Sequence, residues 1–227
     1  MMRKILCWPL RLLAAVVASS ILAAGLYRFV NPPVTPLMVI RAWEKIAHHE
    51  RPVVHKRWRP YEEVSPHLLA AIIAAEDTRF WRHDGFDWDA IEKAQERNER
   101  TRGRRLYGAS TISMQTAKNV FLWPSRSYIR KALEAYFTVL IEFLWSKRRI
   151  LEVYVNVIEW GDGIYGAEEA ARRYFGVGAD ELSPSQASLM AAVLPNPRHW
   201  SPRAPTPYVS QRAAIIQSRM KHVVLPE

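Results

Sequence analysis

The sequence predicts a mainly α protein carried on one N-terminal transmembrane helix. Three observations point there: an uncharged apolar run near the N-terminus, helical periodicity with capped starts through most of the remaining chain, and few of the period-two alternations that mark strands. At 227 residues and 49% apolar content, the chain can bury one sizeable core, so one globular domain plus an appendage is expected. The 32 Lys and Arg outnumber the 22 Asp and Glu, giving a net charge of +10. That balance attracts nucleic acid, anionic lipid or phosphorylated substrates, and its sign alone does not choose among them. The single cysteine, Cys7, excludes an internal disulfide and a cysteine-rich zinc site.

The apolar run, "LLAAVVASSILAAGLY", fills the 16 residues between Arg11 and Arg28. At ~1.5 Å per residue this is roughly 24 Å of helix, short of a ~30 Å hydrocarbon core. Counted from Cys7 to Val30 the segment has 24 residues, enough to span once Arg11 and Arg28 snorkel to the interfaces. An uncleaved anchor is the favoured reading, and a cleaved signal peptide ending in the small residues of "ASS" or "LAAG" is its rival. Arg3, Lys4 and Arg11 precede the run, so the positive-inside tendency holds the short N-terminus in the cytoplasm and sends the rest outward. There a tethered basic domain meets anionic headgroups and no nucleic acid.

After the Pro-rich join "NPPVTP", helix starts follow in order. Ser65 before Pro66, Asp87, Ser183 before Pro184 and Thr206 before Pro207 each place a capping oxygen ahead of a helical run. "SPSQ" also fits a capping box. One connection, "RNERTRGRRLYGAS", holds five arginines between Arg97 and Arg105 and little to bury, so it is expected to be mobile.

Four stretches carry chemistry. In "AAIIAAEDTRFWRHDGFD", an apolar helix runs into Glu76 and Asp77; apolar surroundings suit a carboxyl to general acid or base work, while an isolated pair at a helix end is more often simply solvated. In "GASTISMQTAKNVF", small hydroxyl residues in a Gly-led turn precede Lys118 by one helical turn, a pattern that an N-cap and a surface lysine also explain. In "RKALEAYFTVLIE", Arg130 and Glu134 stand at i and i+4 with Lys131 beside them, as in an ordinary intrahelical ion pair. "KRRILEVYVNVIEWGDGIYG" taken alone is scaffold.

In this order and spacing, the four stretches, with a fifth, "QRAAIIQSRM", resemble the peptidoglycan glycosyltransferases, family 51 of the glycosyltransferases, from about Pro60 to about Met220. The likeness is strongest to the monofunctional, membrane-anchored members, the biosynthetic peptidoglycan transglycosylases, since no transpeptidase domain follows. It implies a lysozyme-like, mainly α fold. It also implies a division into a cytoplasmic N-terminus (1–11), a transmembrane anchor (12–30), a linker with a membrane-proximal helix (31–59) and a glycosyltransferase domain (60–222).

By the same resemblance, Glu76 is the general base that takes the proton from the GlcNAc 4-hydroxyl of lipid II. That oxygen attacks the anomeric carbon of the growing strand's terminal MurNAc with inversion and expels undecaprenyl pyrophosphate. Lys118, Arg130 and Lys131 are implied to meet the pyrophosphate, with Glu134 as a second carboxylate orienting them. Asp77, Arg79, Phe80 and His83 are implied to shape the pocket, and Ser110, Thr111 and Gln115 to line it. No cofactor is required by the sequence; a divalent cation such as Mg²⁺ at the pyrophosphate is the expectation the family adds, though no metal-ligand spacing demands one. The implied partners are lipid II, the nascent glycan strand, the bacterial inner membrane and wall-synthesis or cell-division proteins, with the catalytic domain periplasmic.

One position departs from the pattern: Met114 stands where the first Gln of Gly-x-Ser-Thr-Ile-Thr/Ser-Gln-Gln is expected. Either that position packs internally and Met fills it, or substrate is held differently. In "NVFLWPSRSYI", Phe121, Leu122 and Trp123 are either core or a membrane-dipping surface, since Trp favours the bilayer interface. Two rival functions share these features: a glycan-cleaving hydrolase or lytic transglycosylase, and a membrane-tethered scaffold. A hydrolase needs two carboxylates and no cationic cradle, so Lys118, Arg130 and Lys131 argue for transfer.

Overall fold

The computed structural model describes residues 2–101, 107–125 and 127–226. The centre of the arginine-rich connection expected to be mobile, residues 102–106, lies outside the described residues. Ten α-helices are found among the described residues: α1 (Met2–Tyr27), α2 (Pro36–Ala47), α3 (Pro66–Glu76), α4 (Trp88–Arg100), α5 (Ile112–Phe121), α6 (Tyr128–Leu144), α7 (Lys147–Val157), α8 (Ala167–Phe175), α9 (Pro184–Val193) and α10 (Pro207–Met220). The mainly α expectation holds.

The capping chemistry explains where these helices begin. Ser65, Asp87 and Thr206 accept from backbone N–H groups of the first turns of α3, α4 and α10, satisfying donors that have no partner within the helix. Ser183 and Gln186 form the reciprocal capping box at α9. The core is built around α3, whose residues Leu68 to Ala74 are all buried, and which packs against α9 and α10. On the other side of the domain α5 packs against α6 and α7.

The sheet is small because its strands are two or three residues long: β1 (His55–Lys56), β2 (Glu159–Gly161) and β3 (Ile164–Tyr165), in the order β1-β3-β2. β1 runs parallel to β3 and β2 antiparallel to it. The hairpin between β2 and β3 needs Gly163, which has φ +73° and lies so close to the Val53 carbonyl that a Cβ would approach its oxygen to 2.5 Å.

The segment Leu10–Tyr27 of α1 is long and apolar enough to cross a membrane, and little of it is buried. Its C-terminal end is held by the domain. The Trp145 indole N–H donates to the Ala24 carbonyl at 2.7 Å, and the Arg149 guanidinium donates to the carbonyls of Tyr27 and Val30 at 2.9 and 3.0 Å. These are carbonyls a helix end leaves unpaired, so a cation there both caps the helix and complements its dipole.

Candidate active site

α3 delivers Glu76 and Asp77 to the edge of the core, because the helix is apolar up to its last residue and stops there. The two carboxylates then diverge. Asp77 turns inward and is buried, accepting from the Ile112 N–H at 3.0 Å and lying 3.0 Å from His83 Nε2 with both oxygens. His83 Nδ1 accepts from the Gly85 N–H at 3.1 Å, which leaves the ring proton on Nε2, donated to Asp77. Thr111 caps α5 by accepting from the Met114 N–H, and its hydroxyl donates to the Gly85 carbonyl at 2.6 Å. The turn after α3 is thereby stapled to the start of α5.

That staple places Glu76 beside the residues of α5 that face the cleft. Glu76 Oε2 accepts from Gln115 Nε2 at 2.9 Å, and Oε1 lies 3.6 Å from Arg212 Nη2 on α10. A cleft of about 940 Å³ opens here, lined by Glu76, Asp77, Ser110, Thr111, Gln115 and Lys118. Lys93, Arg97, Arg212 and Arg219 add positive charge to its walls. A second cavity, of about 450 Å³, lies against Lys118, Arg130, Trp123 and Arg41. Lys118 lines both.

The cations are organised around Glu134. This carboxylate is 3% exposed; Arg130 donates to one oxygen and the Lys131 ammonium to the other at 2.6 Å. Arg130 also donates to the Ser125 carbonyl at 2.6 Å, and Lys131 reaches Ser110 Oγ at 3.4 Å. A buried carboxylate needs such pairing, and here the pairing fixes two cations beside the cleft. Lys118 differs: among the described residues its ammonium has no hydrogen-bonding or ion-pair partner. Burial first, and then the nearby Arg130 and Lys131, lower its pKa against the opposing pull of Glu134 and Glu76. An unpaired, partly desolvated ammonium between two cavities is chemically suited to pair with an anion.

Three of the residues expected to shape the pocket are not among those that line it. Phe80 is fully buried in the core, edge-on to Trp81 with the Lys147 ammonium 4.7 Å from its ring centroid. Arg79 turns away to pair with Asp87 and Asp89. His83 acts behind the cleft by holding Asp77. Met114 is buried, 5% exposed, in keeping with an internal packing position. Leu122 is buried and Phe121 packs against the core, stacked on Phe137 at 4.5 Å, whereas Trp123 is 41% exposed.

Two groups of lining residues escaped the reading of the sequence. Arg212 and Arg219 stand seven apart on one face of α10, and Lys93 and Arg97 stand four apart on α4; those spacings were visible, but nothing local ties either helix to Glu76. Among the described residues, no group of three or more His, Cys, Asp or Glu is arranged to hold a metal ion. Glu134, the acidic residue nearest the cations, already has both oxygens occupied, so the residues present offer a divalent cation no ready ligand set.

Comparison with known proteins places this geometry in a family. The model of the transglycosylase family matches residues 44–221. The chain is 55% identical to the biosynthetic peptidoglycan transglycosylase of Rhodospirillum centenum, over 93% of this chain and 90% of that protein. It is 56% identical to the protein of the same name from Caulobacter vibrioides, over 91% and 87%. Identity to the one from Bdellovibrio bacteriovorus is 51%, over 94% and 84%. With a match over most of its length, and with the helical core, paired carboxylates and clustered cations described above, the chain belongs to the transglycosylase family as a peptidoglycan glycosyltransferase of lysozyme-like fold.

Proposed function

We propose that the protein lengthens glycan strands by inverting transfer to lipid II, with Glu76 as general base and Lys118, Arg130 and Lys131 as the cradle of the leaving pyrophosphate. Glu76 removes the proton of the GlcNAc 4-hydroxyl as that oxygen bonds to the anomeric carbon of the strand's terminal MurNAc. The bond from that carbon to the pyrophosphate oxygen breaks from the opposite face, and undecaprenyl pyrophosphate departs with the electron pair. Charge builds on the departing phosphate, and preorganised cations placed there are the most effective stabilisers a site can offer. The observation that carries this reading is Lys118, an unpaired ammonium in the same cleft as Glu76 and adjoining Arg130. Glu134 holds Arg130 and Lys131 in place. A divalent cation bound to the pyrophosphate would rest on the phosphates themselves.

The apolar segment of α1 serves as the anchor in the inner membrane, and the basic residues ahead of it orient the domain to the periplasm. Lipid II then reaches the cleft from the bilayer that holds the enzyme. A product analysis tests transfer against cleavage. Labelled lipid II incubated with the full chain in detergent should yield polymer together with undecaprenyl pyrophosphate, one for each bond formed. Shortening of supplied glycan strands with new reducing ends, and no polymer, would instead identify a hydrolase.

A further inference from the structure

Tyr154 on α7 is buried, 1% exposed, and its hydroxyl lies 3.1 Å from Gln115 Oε1. The other end of that amide faces Glu76. Gln115 Nε2 donates to Glu76 Oε2 at 2.9 Å and lies 3.5 Å from the Ser110 carbonyl oxygen. A primary amide fits such a slot in two orientations of nearly equal shape. Turned one way, its NH2 faces two acceptors. Turned the other way, its oxygen meets a carboxylate and a carbonyl, and three acceptors repel one another.

The phenol reinforces the first orientation. A tyrosine hydroxyl can donate or accept. Burial first, and then the nearby Glu76 and Asp77, raise the Tyr154 pKa well above its ordinary value, so the O–H keeps its proton and needs an acceptor. Among the described residues, Gln115 Oε1 is the acceptor in reach, and only one of the two amide orientations presents it.

We propose that Tyr154 is a positioning residue for glycan transfer. Its O–H locks the Gln115 amide so that Nε2 grips Glu76 Oε2 and leaves Oε1 to take the substrate's proton. Glu76 Oε1 has no hydrogen bond among the described residues, its nearest cation being Arg212 at 3.6 Å. The base is thus held by one oxygen and works with the other. The inference rests on the reading of Glu76 as the base, and it adds a chain of two side chains, Gln115 from α5 and Tyr154 from α7, that aims it.

The test is steady-state polymerisation of lipid II by the full chain in detergent, for the parent, Tyr154→Phe, Gln115→Met and the double variant, each with its thermal midpoint recorded. Each single change should lower kcat roughly tenfold, with KM for lipid II within about twofold, because misplacement of a catalytic group costs rate more than binding. The double variant should be no slower than the slower single variant, since the two side chains act in series. Losses that multiply in the double variant, or a raised KM with unchanged kcat, would overturn the proposal. If Tyr154→Phe does not fold, Gln115→Met on the half-buried cleft wall decides alone, and an unchanged kcat refutes the positioning role. Glu76→Gln in the same series keeps the two ideas apart. Polymer from that variant would remove the base assignment, while the coupling between Tyr154 and Gln115 would still be read from the other four proteins.

Discussion

Lys118 sits between the two cavities, and the forces on it yield a sharp expectation. Its lowered pKa means that the charged form costs stability in the folded protein, a cost present at neutral pH and relieved only as pH rises through the folded value. Lys118→Met should therefore leave the thermal midpoint unchanged or raise it, while kcat/KM for lipid II falls by roughly 10² to 10³, the loss typical of removing one preorganised charge stabiliser. Rate and calorimetry on the same preparation check both halves. Much of the site was legible at this scale: Glu76, Lys118, Arg130, Lys131 and Glu134 lie in patterned stretches; Glu76 and Lys118 line the larger cavity, Lys118 and Arg130 the smaller, and Glu134 pairs with Arg130 and Lys131. What was hidden depends on contacts between distant residues. The Asp77 carboxylate binds the N–H of Ile112, 35 positions away, and Tyr154 meets Gln115 across 39. The resemblance places Arg79 and Phe80 at the pocket with their neighbours, but in the turn after α3 Phe80 enters the core and Arg79 pairs with Asp87.

The helices were legible because capping is local chemistry; the serines, threonine and aspartate that open α3, α4, α9 and α10 bond within three residues of themselves. The sheet was not, because strands of two or three residues are too short to show alternation. An element whose role only the fold reveals is α8, which buries Glu168 completely. Burial works to raise the Glu168 pKa, but hydrogen bonds from Arg59, the Ala179 N–H and Arg172 outweigh it and pull the value down to about 2. The pairing joins α8 to the segment before α3 and to the loop after α8. Because the folded value lies below the unfolded one of 4.5, the stability this group supplies is complete above about pH 4.5 and is lost as pH falls toward 2. Glu168→Gln should cost about 2 to 3 kcal/mol at pH 7 and flatten the decline in that window. Thermal unfolding of both proteins between pH 2 and 7 reads the difference.

At the scale of the whole molecule, the apolar helix α1 is tied to the helices beside the cleft. Trp145 and Arg149 hold the end of α1 against α6 and α7, and α6 carries the cations. Ile129, Val139 and Phe143 are exposed apolar residues of α6, a helix that packs against α1, and Trp123 stands half-exposed beside Lys118. If this surface seats the domain in the bilayer, Trp123→Glu should weaken liposome association and slow turnover together, and intact association with intact turnover would remove Trp123 from that surface. The proposed function makes Glu76 the centre of these arrangements. The measurement that tests the account most directly is polymerisation of labelled lipid II by the parent and by Glu76→Gln, with lipid II binding measured on both. The account predicts polymer from the parent, and from the variant undiminished binding with a rate lower by about 10² to 10⁴. Polymer from Glu76→Gln at the parent's rate would contradict it.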